Sequence, residues 1–358
     1  MNAPMYAPSP PRLAPAPPDL ILRLQVAREP LHATVLEDYF GQHPPPTDAH
    51  RLHVTRRCRE DLGSHLDQLA AALQLGDAEV FSAYLRWLRE VLASRCLGVE
   101  HTADALRVVH DWLRGHLTHA HAGDVLALLE HGIATLEAAE RGTALIAPEP
   151  SATVQTLSRA LLGGRRQDAE AQVLTAMAGG AALVDVSVDL LQPALYHVGL
   201  LWQQNRISVA QEHLATAITQ TAMATGFAVA ELAPPNGRTA AFACVEGNLH
   251  AVGLRMVSDA FEVAGWEASF LGASMPNEAL IAFCGEARPE LLGLSVSLPP
   301  QLPALRELIG RLRAELGNAA PRVLVGGQLV NQIGAAVRGL GADAWFSDAR
   351  AVVHAASQ

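Results

Sequence analysis

A histidine lies in a short polar loop that follows a strand-like run in the C-terminal half of the chain. The loop contains Asn248 and His250 and is followed by Gly253. Imidazole is a common metal ligand, and loops at the carboxyl ends of parallel strands are where open α/β sheets bind ligands. Taken alone, His250 would more simply be a loop residue bonded to main chain.

Small residues at two later strand ends change that balance. Ser295 comes after 41 residues that separate it from Gly253, and Ser297 ends the same strand-like run. Another 28 residues separate Ser297 from the pair Gly326 and Gly327, which ends the next run. Because parallel strands end at one edge of a sheet, we expect all of these residues to lie near the histidine loop. Glycine there lets main chain approach a ligand closely.

This set of motifs resembles the cobalamin-binding Rossmann-like family, whose pattern is Asp-x-His-x-x-Gly, then Ser-x-Leu, then Gly-Gly. The resemblance covers residues 238–358. It implies that cobalamin binds with its own base displaced and that His250 is the lower axial ligand of the cobalt. It also implies that Gly253, Ser295, Ser297 and the glycine pair at 326 and 327 belong to the cofactor site, with the serines lining the slot for the nucleotide tail.

The chain departs from the family pattern at two positions. Asn248 stands where the family usually has aspartate, so its amide oxygen can accept the imidazole N–H but brings no negative charge. A carboxylate behind a metal-bound imidazole makes that imidazole more basic, so we expect His250 to be a weaker donor to cobalt. Ser297 replaces the usual leucine, which is a mild change.

A second motif precedes this region. Trp202 is followed, after nine residues, by Glu212 and His213. These could be a core tryptophan and a solvated charge pair, which is a common arrangement. Placed just before a cobalamin domain, however, the motif resembles the light-responsive cobalamin repressors of the CarH type. There a helical bundle caps the upper face of adenosylcobalamin, and the tryptophan shields the adenosyl group.

The CarH resemblance implies adenosylcobalamin rather than methylcobalamin, with Trp202, Glu212 and His213 at its upper face. CarH-type proteins carry a histidine directly after the tryptophan, which binds cobalt after photolysis. This chain has Gln203 at that position. His197, on the same predicted helix, is one possible substitute as upper ligand and His213 is another; His197 could equally be a helix-face residue packed in the bundle.

Hydrophobic periodicity predicts the elements that position these residues. Residues 152–233 read as a four-helix cap, with a capping box at Ser208 and a kink at Pro193. Residues 238–358 alternate strand-like and helical runs, which predicts a Rossmann-like (flavodoxin-like) parallel α/β domain. The predicted strands are 240–245, 266–271, 291–298, 322–325 and 344–347.

The N-terminal part is predicted to be all-α, which makes the chain a multidomain α and α/β protein. We expect a Pro-rich flexible segment over residues 1–46, with a short helix around 31–39. A domain of four helices follows over residues 47–141, and a Pro-containing linker over 142–151. Breaks between the four helices are expected at Gly76, at Gly98 and near Gly123.

The helical domain is rich in histidine, and most of these side chains are expected at the surface. A cluster from His110 to His121, near Trp112, could line a pocket for a tetrapyrrole. The order of helical domain, cap and cobalamin domain resembles the photocobilins, which combine cobalamin with a bilin. That resemblance implies a second chromophore, biliverdin, on the helical domain. The histidines of the helical domain are His53, His65, His101, His110, His116, His119, His121 and His131.

Composition narrows the functional classes. With 26 basic and 36 acidic residues, the net charge of −10 argues against nucleic-acid binding. Four scattered cysteines form neither a CxxC metal site nor a disulfide framework. No signal peptide or membrane span is apparent, so a cytoplasmic location is expected.

The sequence therefore predicts a cobalamin-dependent photoreceptor with no enzymatic activity of its own. Cleavage of the Co–C bond by light would let the cap shift, and the signal would pass through a homo-oligomer, such as a dimer, or a separate output protein. Two alternatives stay open. One is a corrinoid methyl carrier that serves methyltransferases, and the other is a cobalamin sensor without photochemistry.

Overall fold

The computed structural model describes residues 10–138 and 149–356. The chain divides into two compact units, Met1–Ile146 and Ala147–Gln358. Most of the predicted linker, residues 142–151, lies outside the described residues. None of the described helices is both long and apolar enough to cross a membrane.

The described part of the N-terminal unit consists of helices, as predicted. Gly76 ends one of them in the left-handed conformation at φ +66°, and the Asp77 side chain caps the next by accepting from the Glu79 N–H at 2.9 Å. The predicted breaks near Gly98 and Gly123 also separate helices. The helices are α1 Pro18–Val26, α2 Arg28–Gln42, α3 Asp48–Leu75, α4 Ala78–Ser94, α5 Glu100–His116 and α6 Ala122–Glu137.

The short helix expected around residues 31–39 lies within α2, but the rest of residues 18–42 was expected to be flexible and is also almost entirely helical, in α1 and α2. Pro18 occupies the first turn of α1, where its missing N–H costs nothing. Leu20 and Leu31 are fully buried, and these two helices pack on α3 and α5. Pro18 therefore marks the start of a helix.

The helical cap forms the first part of the C-terminal unit. Its core holds Leu157, Val173 and Leu191, all fully buried. The predicted capping box is confirmed, because Ser208 Oγ accepts from the Gln211 N–H and Gln211 Oε1 accepts from the Ser208 N–H. The helices are α7 Ala152–Leu162, α8 Arg166–Ala178, α9 Leu183–Val186, α10 Gln192–Gln203 and α11 Val209–Ala228.

A π-helical stretch, Ser187–Leu191, joins α9 to α10, where a kink at Pro193 was predicted. Proline has no N–H to donate, and its ring crowds the carbonyl four residues earlier, here that of Asp189. A wider turn relieves that crowding without ending the helix.

The α/β part of the unit is a five-stranded parallel sheet in the order β2-β1-β3-β4-β5. The strand order reverses between β1 and β3. This switch point places the ligand-binding crevice at the carboxyl ends of these two strands. The elements are β1 Thr239–Cys244, α12 Val252–Val263, β2 Glu267–Gly272, α13 Asn277–Ala287, β3 Leu291–Ser295, α14 Leu302–Leu316, β4 Arg322–Gly326, α15 Gln328–Ile333, β5 Ala344–Trp345 and α16 Ala349–Ala356.

Strand register brings the predicted motif residues to one edge. Cys244 at the end of β1 pairs with Ser295 at the end of β3, and Ser295 pairs with Gly326 at the end of β4. Strand β3 is shorter than the predicted 291–298, because the N–H groups of Ser297 and Leu298 donate to the Gln301 side chain instead of to a strand.

The cap and the sheet pack together chiefly through α12. Met256 of α12 is part of the cap core, and Val252 packs against it. Arg350 of α16 adds a polar contact, donating to Asp185 at 2.8 Å and to Asp189 at 2.6 Å. The helix that begins just after the histidine loop is thus built into the core of the cap.

Candidate functional site

The loop after β1 is fixed from inside by Asn248, whose side chain is fully buried. Its Oδ1 accepts from the main-chain N–H of His250 at 3.0 Å, and its Nδ2 donates to the Ser295 carbonyl oxygen at 2.9 Å. Gly247 precedes it at φ +80°, a conformation that glycine adopts readily. The result is a rigid turn with an exposed His250 at its tip.

The role expected for Asn248 differs from the one observed. The amide oxygen was expected to accept from the imidazole, but it accepts from the main chain of His250. The amide nitrogen matters as much as the oxygen, because only a donor can bond the Ser295 carbonyl. The position therefore suits asparagine rather than aspartate in this conformation.

The edges of β3 and β4 form the other side of this crevice. The N–H of Val296 donates to the Gly326 carbonyl at 2.9 Å, which continues the pairing past Ser295. Gly327 has φ +109°, and a β-carbon there would lie 2.3 Å from the Val296 carbonyl oxygen. Only glycine fits this close approach of two main chains. Ser295 is buried and Ser297 is half-buried.

The histidine loop is open beside its two glycines. Apart from each glycine's chain neighbours and the main chain of its own helix, no heavy atom of the described residues lies within 4 Å of a β-carbon placed on Gly247 or on Gly253. Leu249 and Leu298 are exposed on the loops after β1 and β3. Exposed apolar side chains around an open cradle are typical of a surface that a ligand covers.

Two residues that the sequence analysis missed also hold these loops. Ser274, after β2, donates its N–H to the Asn248 carbonyl at 2.9 Å and accepts from the Gly247 N–H at 3.1 Å. Gln301, before α14, donates to the Gly247 carbonyl at 3.4 Å. A serine after a strand was a weak signal for Ser274, and no motif pointed to Gln301.

The thiol at the end of β1 is not a reactive group. Burial raises the pKa of Cys244 to about 11, although a hydrogen bond from Ser295 opposes the shift. A raised pKa favours the protonated thiol at neutral pH, which is the less nucleophilic form.

The cap residues of the second motif lie at two facing helix ends. Trp202 is half-buried near the end of α10, and Glu212 and His213 lie in the first turns of α11. One carboxylate oxygen of Glu212 lies 2.5 Å from His213 Nδ1, and the other accepts from Thr216 Oγ1 at 3.0 Å. Glu212 is therefore held in place, while the His213 ring is largely exposed.

His197 is a half-buried imidazole on α10. Within the described residues, its Nδ1 has no hydrogen-bond partner. Burial lowers the pKa of His197, and the positive charge of Arg206 lowers it further. Both effects favour the neutral ring, which is the form that binds metals.

Five of the eight histidines named for the helical domain are exposed or half-buried, which agrees with the expectation that most lie at the surface, and three are buried. His65, His110 and His131 are buried. His65 bonds the Tyr84 hydroxyl at 2.6 Å, and burial lowers the pKa of His65 to about 4. His131 bonds Ser82 at 3.0 Å. These buried rings belong to the helical core.

A groove of about 460 Å³ lies on the surface of the N-terminal unit. Its walls include Asp19 and Arg23 of α1 and Trp112 and His116 of α5. The Trp112 and His116 rings stack with centroids 4.3 Å apart. Of the predicted histidine cluster, His116 lines this groove, whereas His110 is bonded to Glu130 at 3.0 Å.

Comparison with known proteins identifies the class. Residues 153–225 and residues 238–356 each match a model described as a B12 binding domain. Dimethylamine corrinoid protein 3 of Methanosarcina mazei is 30% identical over 114 residues, which are 32% of this chain and 67% of that protein. The chain belongs to the B12-binding protein family. Cobalamin, or a related corrinoid, is accordingly its cofactor.

Other relatives share the same region. The HTH-type transcriptional repressor CarA of Myxococcus xanthus is 33% identical over 105 residues, which are 29% of this chain and 34% of CarA. The chain thus spans about a third of that relative's length. The Methanosarcina barkeri monomethylamine corrinoid protein has a similar fold, with a TM-score of 0.50 and 21% identity, over 56% of this chain and 96% of that one.

The residues at the crevice fit a corrinoid. An exposed imidazole on a rigid loop can approach a metal, and the space beside Gly247 and Gly253 is open to a ligand. Exposed Leu249 and Leu298 supply the apolar contacts that a macrocycle requires.

Asn248→Asp tests the observed role of the amide. A carboxylate would lose the hydrogen bond to the Ser295 carbonyl and would place two oxygens against each other in a fully buried position. We expect the free energy of unfolding of the cofactor-free protein to fall by about 2 kcal/mol at pH 7. The loss should shrink towards about pH 4, because a protonated carboxyl can donate again.

The matched control for this prediction is Asn236→Asp. Asn236 also donates from its amide to a carbonyl, that of Ala264, but it is exposed. We expect that variant to stay within about 0.5 kcal/mol of wild type in denaturant unfolding. Equal losses in the free energy of unfolding for the two variants would show that the buried bond to Ser295 contributes no more stability than an exposed bond.

Proposed function

We propose that this chain is a cobalamin photoreceptor in which light breaks the Co–C bond of bound adenosylcobalamin and thereby moves the helical cap. The observation that carries the proposal is the placement of Trp202 at the end of α10 and of Glu212 and His213 at the start of α11. A bulky indole at this place is suited to shield an adenosyl group. The likeness to CarA supports the same assignment.

Residues of the sheet edge would hold the cofactor from below. His250 is the proposed lower axial ligand of cobalt, and Asn248 fixes the main chain on which its ring is mounted. Ser295 and Ser297 would line the slot for the nucleotide tail, with main chain at Gly326 and Gly327 close beside it. The cofactor supplies the light-sensitive bond, and these residues supply position.

The packing of α12 offers a route from the site to the cap. The helix begins two residues after His250, and Met256 further along it lies in the cap core. A displacement of the cap would therefore shift α12, the helix that directly follows the histidine loop. Two arrangements of the cap that differ in its contact with α12 would give the protein two states. A homo-oligomer such as a dimer, or a separate output protein, could bind the two states differently.

His197 is our candidate for the upper ligand after photolysis, in place of the histidine that Gln203 replaces. Burial and the charge of Arg206 favour its neutral ring, and its buried Nδ1 has no hydrogen-bond partner among the described residues. The exposed His213 is the alternative, but its Nδ1 already contacts Glu212.

A corrinoid methyl carrier is the second candidate function. It is favoured by the dimethylamine corrinoid proteins among the relatives, because this chain covers two thirds or more of several of them. In that case the partner would be a methyltransferase, and methylcobalamin would be the form that is bound. Such a carrier has little need for the bulk of Trp202.

The bilin hypothesis concerns the N-terminal unit alone. The groove beside Trp112 offers an aromatic face, with Arg23 as a cation for a propionate. If biliverdin binds there, the protein should acquire a red absorption band that Arg23→Ala weakens and Arg56→Ala, on the exposed half of α3, leaves unchanged. A spectrum equal to that of free biliverdin would leave cobalamin as the sole chromophore.

The photoreceptor proposal is tested by absorption spectra of adenosylcobalamin-loaded protein before and after green light. We expect illumination to replace the spectrum of the alkyl cofactor, and an unchanged spectrum would contradict the proposal. Trp202→Ala should weaken adenosylcobalamin binding about tenfold and leave methylcobalamin binding unchanged, since only the adenosyl group contacts the indole. Trp112→Ala, in the other unit, is the control and should change neither affinity.

His250→Ala tests the lower ligand. In the dark we expect the variant to lose the spectrum of histidine-ligated cobalt and to bind adenosylcobalamin at least about tenfold more weakly. His354→Ala, an exposed histidine on α16, should retain both properties. A wild-type spectrum for His250→Ala would show that another residue, or the cofactor's own base, occupies that position.

A further inference from the structure

The side chain of Gln301 lies between the two loops that border the crevice. It is 6% exposed, and it closes the short 3₁₀ turn Pro299–Gln301 that follows the β3 loop. Its Oε1 accepts from the N–H groups of Ser297 at 2.8 Å and Leu298 at 3.0 Å. Its Nε2 points the other way and donates to the Gly247 carbonyl at 3.4 Å.

These bonds fix a segment that the sheet does not hold. Strand β3 ends at Ser295, and beyond it, among the hydrogen bonds of the described residues, the N–H of Val296 alone still reaches β4. Pro299 and Pro300 have no N–H, so main-chain pairing cannot resume before α14. Leu298 is exposed, and the hydrogen bonds to the amide of Gln301 position Ser297 and Leu298.

The same amide reaches the histidine loop. Gly247 directly precedes Asn248, whose side chain bonds the N–H of His250 and the carbonyl of Ser295. Asn248 and Gln301 thus cross the gap between the two loops in opposite directions. Asn248 extends from the β1 loop to β3, and Gln301 extends from the β3 side back to the β1 loop.

We propose that Gln301 is a positioning residue that sets the width of the slot for the nucleotide tail of cobalamin, between the loops after β1 and β3. It acts through Ser297 and Gly247 and needs no contact with the cofactor itself. This inference rests on the proposed cobalamin site. It implies that the protein binds corrinoids with a nucleotide tail more tightly than corrinoids without one. Gln301 contributes to this difference in affinity.

Substitutions can separate the two halves of the amide. Gln301→Glu keeps the oxygen that accepts from Ser297 and Leu298 but loses the donation to Gly247, whereas Gln301→Met loses both with little change in volume. Asn277→Leu is the matched control. Asn277 is a buried amide of the same domain that donates to Ala304 of α14 at 3.4 Å, so its loss perturbs the fold without joining the two loops.

The experiment measures, for the full chain, the dissociation constants of adenosylcobalamin and of adenosylcobinamide, which lacks the nucleotide tail. We expect Gln301→Met to weaken cobalamin binding about tenfold and cobinamide binding less than about twofold, and Gln301→Glu to weaken cobalamin binding by about threefold. Asn277→Leu should leave the ratio of the two constants at its wild-type value.

Hydrogen exchange of the cofactor-free protein gives a second readout. The amides of Ser297 and Leu298 should be protected in wild type and in Gln301→Glu, and should exchange faster in Gln301→Met. An unchanged ratio of dissociation constants in Gln301→Met overturns the inference, as does an equal loss for both corrinoids. If wild type itself does not prefer cobalamin to cobinamide, the tail slot is absent and the proposed site fails before Gln301 is tested.

Discussion

The buried amide of Asn248 joins the ends of β1 and β3 at the switch point of the sheet, where the strand order reverses. One of its atoms accepts from the main chain of His250 and the other donates to the carbonyl of Ser295. The position of the histidine loop depends first on this link, because it holds the loop against the strand that carries the serines. An amide can make both bonds at once, since it has a donor and an acceptor on one planar group.

The second constraint is the shared packing of α12. This helix covers the sheet and also inserts Met256 into the core of the cap, so the cap and the histidine loop are not mechanically independent. The Arg350 contacts with Asp185 and Asp189 add to this interface at the surface, where ion pairs contribute little stability. The interface therefore combines the apolar contacts of Met256 and Val252 with an exposed polar contact.

Much of this organisation could be predicted from the sequence. The spacing of His250, Ser295 and Gly326 implied one edge of a parallel sheet, and the strand register places the ends of β1, β3 and β4 side by side. The capping box at Ser208 was equally legible because its partners are three residues apart. A helix was expected only around residues 31–39, because proline content was weighed above the three- and four-residue spacing of Leu20, Ile21 and Leu24.

By itself the sequence determined the family, the parallel sheet and the position of the histidine loop, because these depend on local periodicity and on motifs of fixed spacing. The tertiary structure alone decided which partner each polar group takes. Gln301 carries no motif, and its role exists because folding places Gly247, 54 residues away in sequence, at hydrogen-bond distance. In the same way, Asn248 bonds the main chain of His250 instead of its ring, because burial leaves its amide only the donors and acceptors that the folded strands present.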